Sequence, residues 1–285
     1  MAFAGYKSGM THVIAVDNNK GSPTFGQQIA IPVTILDCPP IKVVGVRAYQ
    51  KTSRGMKVFT EAWIKDLPKE LKRKITERKK PNEKLSVIEN NLEKISNLRL
   101  LVCTQPRLSG IKKKTPEIFE VGISGKTTKE KFEFAKQFLE KEISAKDFVR
   151  EGELVDAIAV TTGKGTAGPV KRFGVGIQNR HAKQKLRHVG AIAAQVPRRV
   201  LFTAPMGGQL GFQTRTELNK RVLKIGEGAE VNPTSGIKRY GLVKSNYVLL
   251  AGSVPGPKKR LVLLRSPIRP QKVKLQVPEI KEVIR

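Results

Sequence analysis

Acidic residues are the first shortage in this chain. Only 24 Asp+Glu stand against 54 Lys+Arg in 285 residues, a formal net charge of +30. A compact body so unbalanced repels itself until a polyanion neutralises it, so the shortage speaks of partners and not of fold. Cysteine is scarce too. Cys38 and Cys103 are the only two, too few and too far apart for a disulfide framework or a metal knuckle, which points to a reducing compartment. The three histidines, His12, His181 and His188, have no carboxylate or cysteine at ligand spacing, so no metal site is expected. Long apolar runs are missing. Leu98–Val102 and Tyr247–Ala251 are among the longest, far short of the roughly 20 residues of a bilayer-spanning helix. Lys7, His12 and Asp17 interrupt the apolar positions of the first twenty residues, unlike a signal peptide. A soluble cytoplasmic protein is expected. At 39% hydrophobic, below the roughly 45–50% of an average domain, the chain reads as one modest globular body with extended polar parts.

Catalytic signatures are equally thin. No G-x-S-x-G elbow occurs, and the basic segment carries no carboxylate pair for acid/base work. Gly163, Gly165 and Gly168 do fall in G-x-G-x-x-G register after an expected strand. A dinucleotide site would need a helix opening at the last glycine and an acidic residue about twenty positions on. Pro169 and Val170–Gly174 show no helical period, and the neighbourhood of His188 is basic. A loop bringing backbone close to phosphates fits better. No enzyme, cofactor or small-molecule substrate is expected.

What is present is positive charge in one place. Glu117–Asp156 mixes ten acidic with seven basic residues, whereas Lys164–Lys224 holds thirteen Lys/Arg and a single acid, Glu217. A solvated face normally mixes signs, so one-signed clustering of this length is the footprint of a nucleic-acid contact. From Lys164 to Pro205 no apolar period survives, and a loop that long inside a domain is functional or disordered. The short apolar pieces Val189–Ala194 and Val200–Phe202 favour a loop that orders when a partner packs around it. In Arg180–His188, planar guanidinium and imidazole groups suited to base stacking are spaced through polar residues. Lys258-Lys259-Arg260, with Arg265 and Arg269, forms a second basic band; a solvated strand edge would look similar. An RNA-modifying enzyme built on the same scaffold, or a protein of anionic membrane surfaces, remain the competing classes.

The rest reads as strands around a helical insertion. Val33–Cys38, Lys42–Tyr49, Asp156–Thr162, Arg221–Ile225, Tyr247–Ala251 and Arg260–Leu264 are β-branched or apolar runs punctuated by Gly and Pro, as in a barrel. Pro68–Lys80, Ser86–Ile95 and Lys129–Ile143 carry helical signals, with strands at Leu98–Thr104 and Ile118–Ile123. The expectation is a mainly β protein with an α/β insertion and a long irregular basic loop.

Four blocks resemble a known family. Gly5–His12 (GYKSGMTH), Lys164–Gly174 (KGTAGPVKRFG), Met206–Arg221 (MGGQLGFQTRTELNKR) and Gly252–Val262 (GSVPGPKKRLV) occur in order and span nearly the whole chain. They are similar to signatures of the universal large-subunit ribosomal protein three family, in its archaeal and eukaryotic type. That resemblance implies a translation-protein-type β-barrel, a loop reaching through rRNA toward the peptidyl-transferase centre, an early part in subunit assembly, and neighbouring ribosomal proteins as partners. No membrane is implied. The domains it implies are 1–50 (first part of the barrel), 51–150 (α/β insertion), 151–163 (a barrel strand), 164–217 (the rRNA-penetrating loop), 218–268 (the rest of the barrel) and 269–285 (a basic tail). Its expected rRNA contacts are Lys164, Lys171, Arg172, Arg180, His181, Lys183, Lys185, Arg187, His188, Gln195, Arg198, Arg199, Gln209, Arg215, Lys220, Arg221, Lys258, Lys259 and Arg260. Gln209 matches a glutamine methylated in some bacterial members. Gln195 stands where archaeal and eukaryotic relatives often place Trp, and the chain begins almost at the first signature, where many relatives carry a basic arm.

Overall fold

The computed structural model describes residues 2–19, 21–75, 83–271, 276–277 and 279–284. It comprises two compact units: Met1–Ala159 with Thr216–Arg285, and Val160–Arg215.

The first unit begins with β1 (Ala2–Val16), which the sequence did not announce. Gly5, Lys7, Ser8 and Gly9 spoil its apolar alternation, yet Phe3 to Gly9 are buried without a break. The strand is covered on both faces, Phe3 facing one core cluster and Tyr6 another. It pairs antiparallel with β2 (Gln28–Asp37), from Tyr6↔Asp37 to Val16↔Gln28.

Pro39 and Pro40 then end the path of β2, since proline lacks the N–H a ladder needs. Beyond them the chain builds a separate sheet: β3 (Ile41–Thr52), β4 (Gly55–Trp63), β5 (Asn97–Cys103), β6 (Ile118–Gly122) and the two-residue β7 (Glu142–Ile143). The order is β4-β3-β5-β6, with β7 also on β3. Residues 41–50, expected in the barrel, therefore belong to the inserted sheet. Gly45 admits β4 there, because a Cβ would lie 2.5 Å from the Ala62 carbonyl oxygen. Helix α1 (Glu83–Asn90) and α2 (Thr128–Phe138) pack on this sheet, α2 through Phe132 and Ala135. Thr127 caps α2 by accepting the Glu130 N–H at 3.3 Å. Both helices are shorter than expected, α1 closing at Asn90 and α2 at Phe138, after which Glu140 turns the chain with φ 67° into β7. Of the helix expected over Pro68–Lys80, Leu71–Arg73 forms one 3₁₀ turn, and 76–80 lie outside the described residues.

A four-residue helix, α3 (Ala145–Phe148), leads back to the barrel strand β8 (Leu154–Val160). The chain next builds the second unit, with β9 (Thr166–Ala167), α4 (Pro169–Phe173) and β10 (Gly208–Gln209). It returns along β11 (Thr214–Glu227), β12 (Asn246–Ala251), β13 (Leu261–Arg265) and β14 (Glu279–Val283). The strand order is β13-β8-β11-β12-β2-β1-β14, and β13 also pairs with the first half of β1, from Ala2↔Arg265 to Tyr6↔Leu261. Six strands thus close into a barrel, which removes the open edges of a flat sheet. Period two sorts the side chains. Leu36, Val248 and Leu250 join one apolar cluster, which continues into the inserted sheet at Val43, Val46 and Leu100, while Ile35, Tyr247 and Leu249 join the other. Of the expected basic tail, 272–275, 278 and 285 lie outside the described residues.

Candidate nucleic-acid interface

Val160–Arg215 contains ten Lys/Arg and no Asp or Glu. Ala167 is its one buried hydrophobic residue. With no apolar core to close it, the unit is held by backbone turns. Lys164 N–H donates to the Leu210 carbonyl and Leu210 N–H to the Gly165 carbonyl, each at 2.9 Å, and Thr161 N–H reaches the Gln213 carbonyl at 2.9 Å. β9 and β10 pair antiparallel between them, Ala167 opposite Gly208 and Thr166 opposite Gln209. Gly211 makes the return possible, at φ 71° with space for no side chain: a Cβ there would stand 2.1 Å from the Thr162 carbonyl oxygen.

The glycine-rich segment does open a helix after Gly168, contrary to the sequence reading. Pro169 supplies its first position and Gly174, at φ 74°, ends it after five residues. A dinucleotide fold needs more, namely a parallel sheet and an acidic ribose contact; here the neighbouring β9–β10 pair is antiparallel and the unit has no acid.

Within this frame the expected contacts divide. Lys164, Lys171, Arg180, His181, Lys183, Lys185, Arg187, His188, Gln195, Arg198, Arg199, Gln209 and Arg215 are exposed. Residues 178–188 close on themselves, because the Gln178 side-chain amide donates to the His188 carbonyl at 3.1 Å and its N–H to that of Leu186 at 3.0 Å. The cations of that loop are left on its outside. Arg172 differs. Its Nε donates to the Gln209 carbonyl at 3.2 Å and its Nη1 to that of Met206 at 2.9 Å, so it ties α4 to β10. The Gln209 side-chain amide likewise turns to the carbonyls of Leu210 and Gly211, both at 3.1 Å.

The first unit carries its own cationic face. Lys7, which looks like a surface lysine, is 8% exposed. Its Nζ donates to the carbonyls of Val254 at 2.5 Å and Gly256 at 3.0 Å, while its backbone carbonyl accepts the Lys259 N–H at 2.7 Å. Burial pulls the Lys7 pKa down, and the two carbonyls offset lost hydration. This buried ammonium shapes the loop that presents Lys258, Lys259 and Arg260. Lys258 Nζ then reaches the Lys238 carbonyl at 2.9 Å, and Gly9 leaves room for Ile237, whose Cγ2 a Cβ would meet at 2.9 Å. Exposed Lys238 and Arg239 join the same face. The sequence reading missed both, though the turn signal Pro233–Gly236 stands just before them. Lys220 is partly neutralised by Glu217 at 2.6 Å. Arg221 is turned to the Gln276 carbonyl, and burial lowers its pKa.

An enzyme on this scaffold would need an accessible group with perturbed ionisation. Several of the perturbed groups are sealed instead. Burial raises the pKa of Tyr6, Asp37, Cys38 and Tyr240, and each is at most 4% exposed. Asp37 Oδ2 accepts the Tyr240 hydroxyl at 2.6 Å and the Gly110 N–H at 3.3 Å, an internal linkage without solvent access. Among the described residues no three His, Cys, Asp or Glu side chains form a metal-binding group, and no helix is long and apolar enough to cross a membrane.

The structure is a closed barrel with a sealed core, continued by a coreless and acid-free cationic unit. Comparison with known proteins identifies the family. The profile of the family described as ribosomal protein L3 matches residues 1–284. The large ribosomal subunit protein uL3 of Methanothermobacter thermautotrophicus is 47% identical over 99% of this chain and 86% of its own. That of Methanopyrus kandleri is 48% identical over 95% of this chain and 77% of its own, and that of Methanocaldococcus jannaschii 46% over 98% and 85%. The chain belongs to the ribosomal protein L3 family.

Proposed function

We infer that this protein is a structural constituent of the large subunit of the cytoplasmic ribosome, not an enzyme, and that it binds rRNA chiefly through Val160–Arg215. One observation carries the second half of that reading. A unit with ten cations, no acid and one buried hydrophobic residue has nothing of its own to neutralise or cover it, and closely spaced phosphates supply what is missing. Lys164, Lys171, Arg180, Lys183, Lys185, Arg187, Arg198, Arg199 and Arg215 are the assigned phosphate contacts, with His181, His188, Gln195 and Gln209 beside functional RNA. Lys258, Lys259, Arg260, Lys238 and Arg239 form a second contact on the barrel unit. On the same reading the arm lies toward the peptidyl-transferase centre, the protein takes part in subunit assembly, and neighbouring ribosomal proteins flank it.

Filter-binding titration of the full chain on an rRNA fragment at several salt concentrations tests this. Replacing Arg198 and Arg199 with Ala weakens binding and lowers the salt slope by roughly 0.7–0.9 per lost phosphate contact. An unchanged slope removes these two from the interface. Sucrose-gradient sedimentation of cell extract separates the competing classes, since a ribosomal constituent travels in stoichiometric amount with large subunits through moderate salt and a membrane-surface protein does not.

A further inference from the structure

Charge explains the lysines and arginines of the second unit but not its phenylalanines. Phe173 is 53% exposed, Phe212 64% and Phe202 100%. Elsewhere among the described residues Phe25 is the one phenylalanine exposed to a comparable degree. Exposing a large aromatic surface to water is unfavourable unless something covers it. Nothing covers the ring of Phe202, which is exposed over its whole surface.

Two details show rings set in place. Phe212 is held at φ 59°, a left-handed backbone that a bulky residue adopts only when the surroundings impose it. The guanidinium of Arg172 lies 5.0 Å from the Phe173 ring centroid, while that same arginine is anchored to the Met206 and Gln209 carbonyls. Phe202 follows closely on Arg198 and Arg199. One ligand satisfies both kinds of group: a polynucleotide whose phosphates meet the cations and whose base faces meet the rings. A continuous A-form duplex offers the phosphates but hides its base faces within the stack. Unpaired nucleotides offer both.

We propose that Phe202 stacks on an unpaired base, so that the second unit selects looped or single-stranded RNA over continuous duplex. This rests on the RNA-binding reading above and names the class of RNA it takes.

The test compares the full-length protein on a hairpin RNA with an unpaired loop and on a fully paired RNA of equal length. Phe202→Ala is expected to lower affinity for the looped RNA by roughly 5- to 150-fold, the range of one lost base stack. Its affinity for the duplex and its salt slope on both RNAs stay unchanged, because a stacked ring releases no counterions. Phe202→Trp restores or tightens binding to the loop, and Phe25→Ala changes nothing. Equal losses on both RNAs, or no loss on either, overturn the proposal. So does a Phe202→Ala variant that binds RNA normally but loses a protein partner. If Arg198/Arg199→Ala still lowers the salt slope in that case, only the stacking proposal has failed. If that slope also stays put, the RNA-binding reading of the arm has failed with it.

Discussion

Phe3 and Phe202 are the same residue in opposite settings. Phe3 is 0% exposed and stacks on Phe148 with ring centroids 6.1 Å apart, whereas Phe202 is fully exposed. The contrast holds for whole units. All 24 acidic residues lie in the first, where Arg47 pairs with Glu61 at 2.7 Å and also with Glu120, and Arg99 meets Glu120 at 3.0 Å. The second has cations and no acid. One region has its hydrophobic contacts and many of its countercharges at home. The other is incomplete in both.

The sharpest way to break this contrast is to remove the same side chain from both places. Phe3→Ala is expected to cost about 3–5 kcal/mol in urea unfolding, as truncation of a buried ring does. Phe202→Ala is expected to stay within about 0.5 kcal/mol, as a substitution at an unpacked surface does. Comparable losses at the two sites would mean that the second unit has a packed interior after all.

Glycine offers a second, smaller comparison. A Cβ on Gly110 would stand 2.1 Å from the Leu242 carbonyl oxygen, and one on Gly211 the same distance from that of Thr162. Gly110→Ala forces backbone apart within the barrel unit and is expected to lower global stability by roughly 1–3 kcal/mol. Gly211→Ala adds a left-handed backbone cost of roughly 1–2 kcal/mol but acts where the turn is local. Hydrogen exchange should then speed up at the Lys164 and Leu210 amides while the global unfolding midpoint holds. A fall in that midpoint would show that the two units unfold as one.

These pairs also show what could be read from the sequence. Barrel strands such as Val33–Cys38 and Tyr247–Ala251 were legible because burial on a pleated surface selects β-branched and apolar runs. β1 was not, since a strand enclosed on both faces and crowded by neighbours needs Gly5, Gly9 and buried Ser8 more than alternation. The closure of β13 on β1 depends on pairing across most of the chain, which no local pattern encodes. The second unit was legible as a segment through its charge. Within it, a cation pointing to solvent reads the same as one turned back on the protein. Lys7 was therefore overlooked as scaffold, and the turn of Arg172 back onto the Met206 and Gln209 carbonyls was not foreseen.

Asp37 gives a test confined to the first unit. Burial raises its pKa, although the Tyr240 hydroxyl and the Gly110 N–H favour the charged form. A carboxyl whose folded pKa is raised binds its proton more tightly in the folded than in the unfolded state. Its contribution is fully present below the ordinary carboxylate pKa and is lost as pH rises through the folded value. Asp37→Asn keeps an oxygen for Tyr240 and removes this titration. The difference in stability between wild type and variant should therefore shift with pH across that window and level off on either side. A pH-independent difference would show that the carboxyl titrates alike in both states.

The smallest expected effect separates scaffold from contact inside the second unit. Arg172 spans the carbonyls of Met206 and Gln209, a fork that suits a planar guanidinium and that one ammonium cannot reproduce. Arg172→Lys keeps the charge and loses the span. Exchange protection across β9–β10 should fall by about fivefold, the equivalent of about 1 kcal/mol of hydrogen bonding, while the salt slope for RNA stays within error of wild type. Should the slope fall by roughly 0.7–0.9 instead, the guanidinium itself meets a phosphate, and Arg172 belongs with the outward cations. Should protection not change, the tie to β10 contributes nothing, and the glycine turns at Gly174 and Gly211 hold this end of the arm without it.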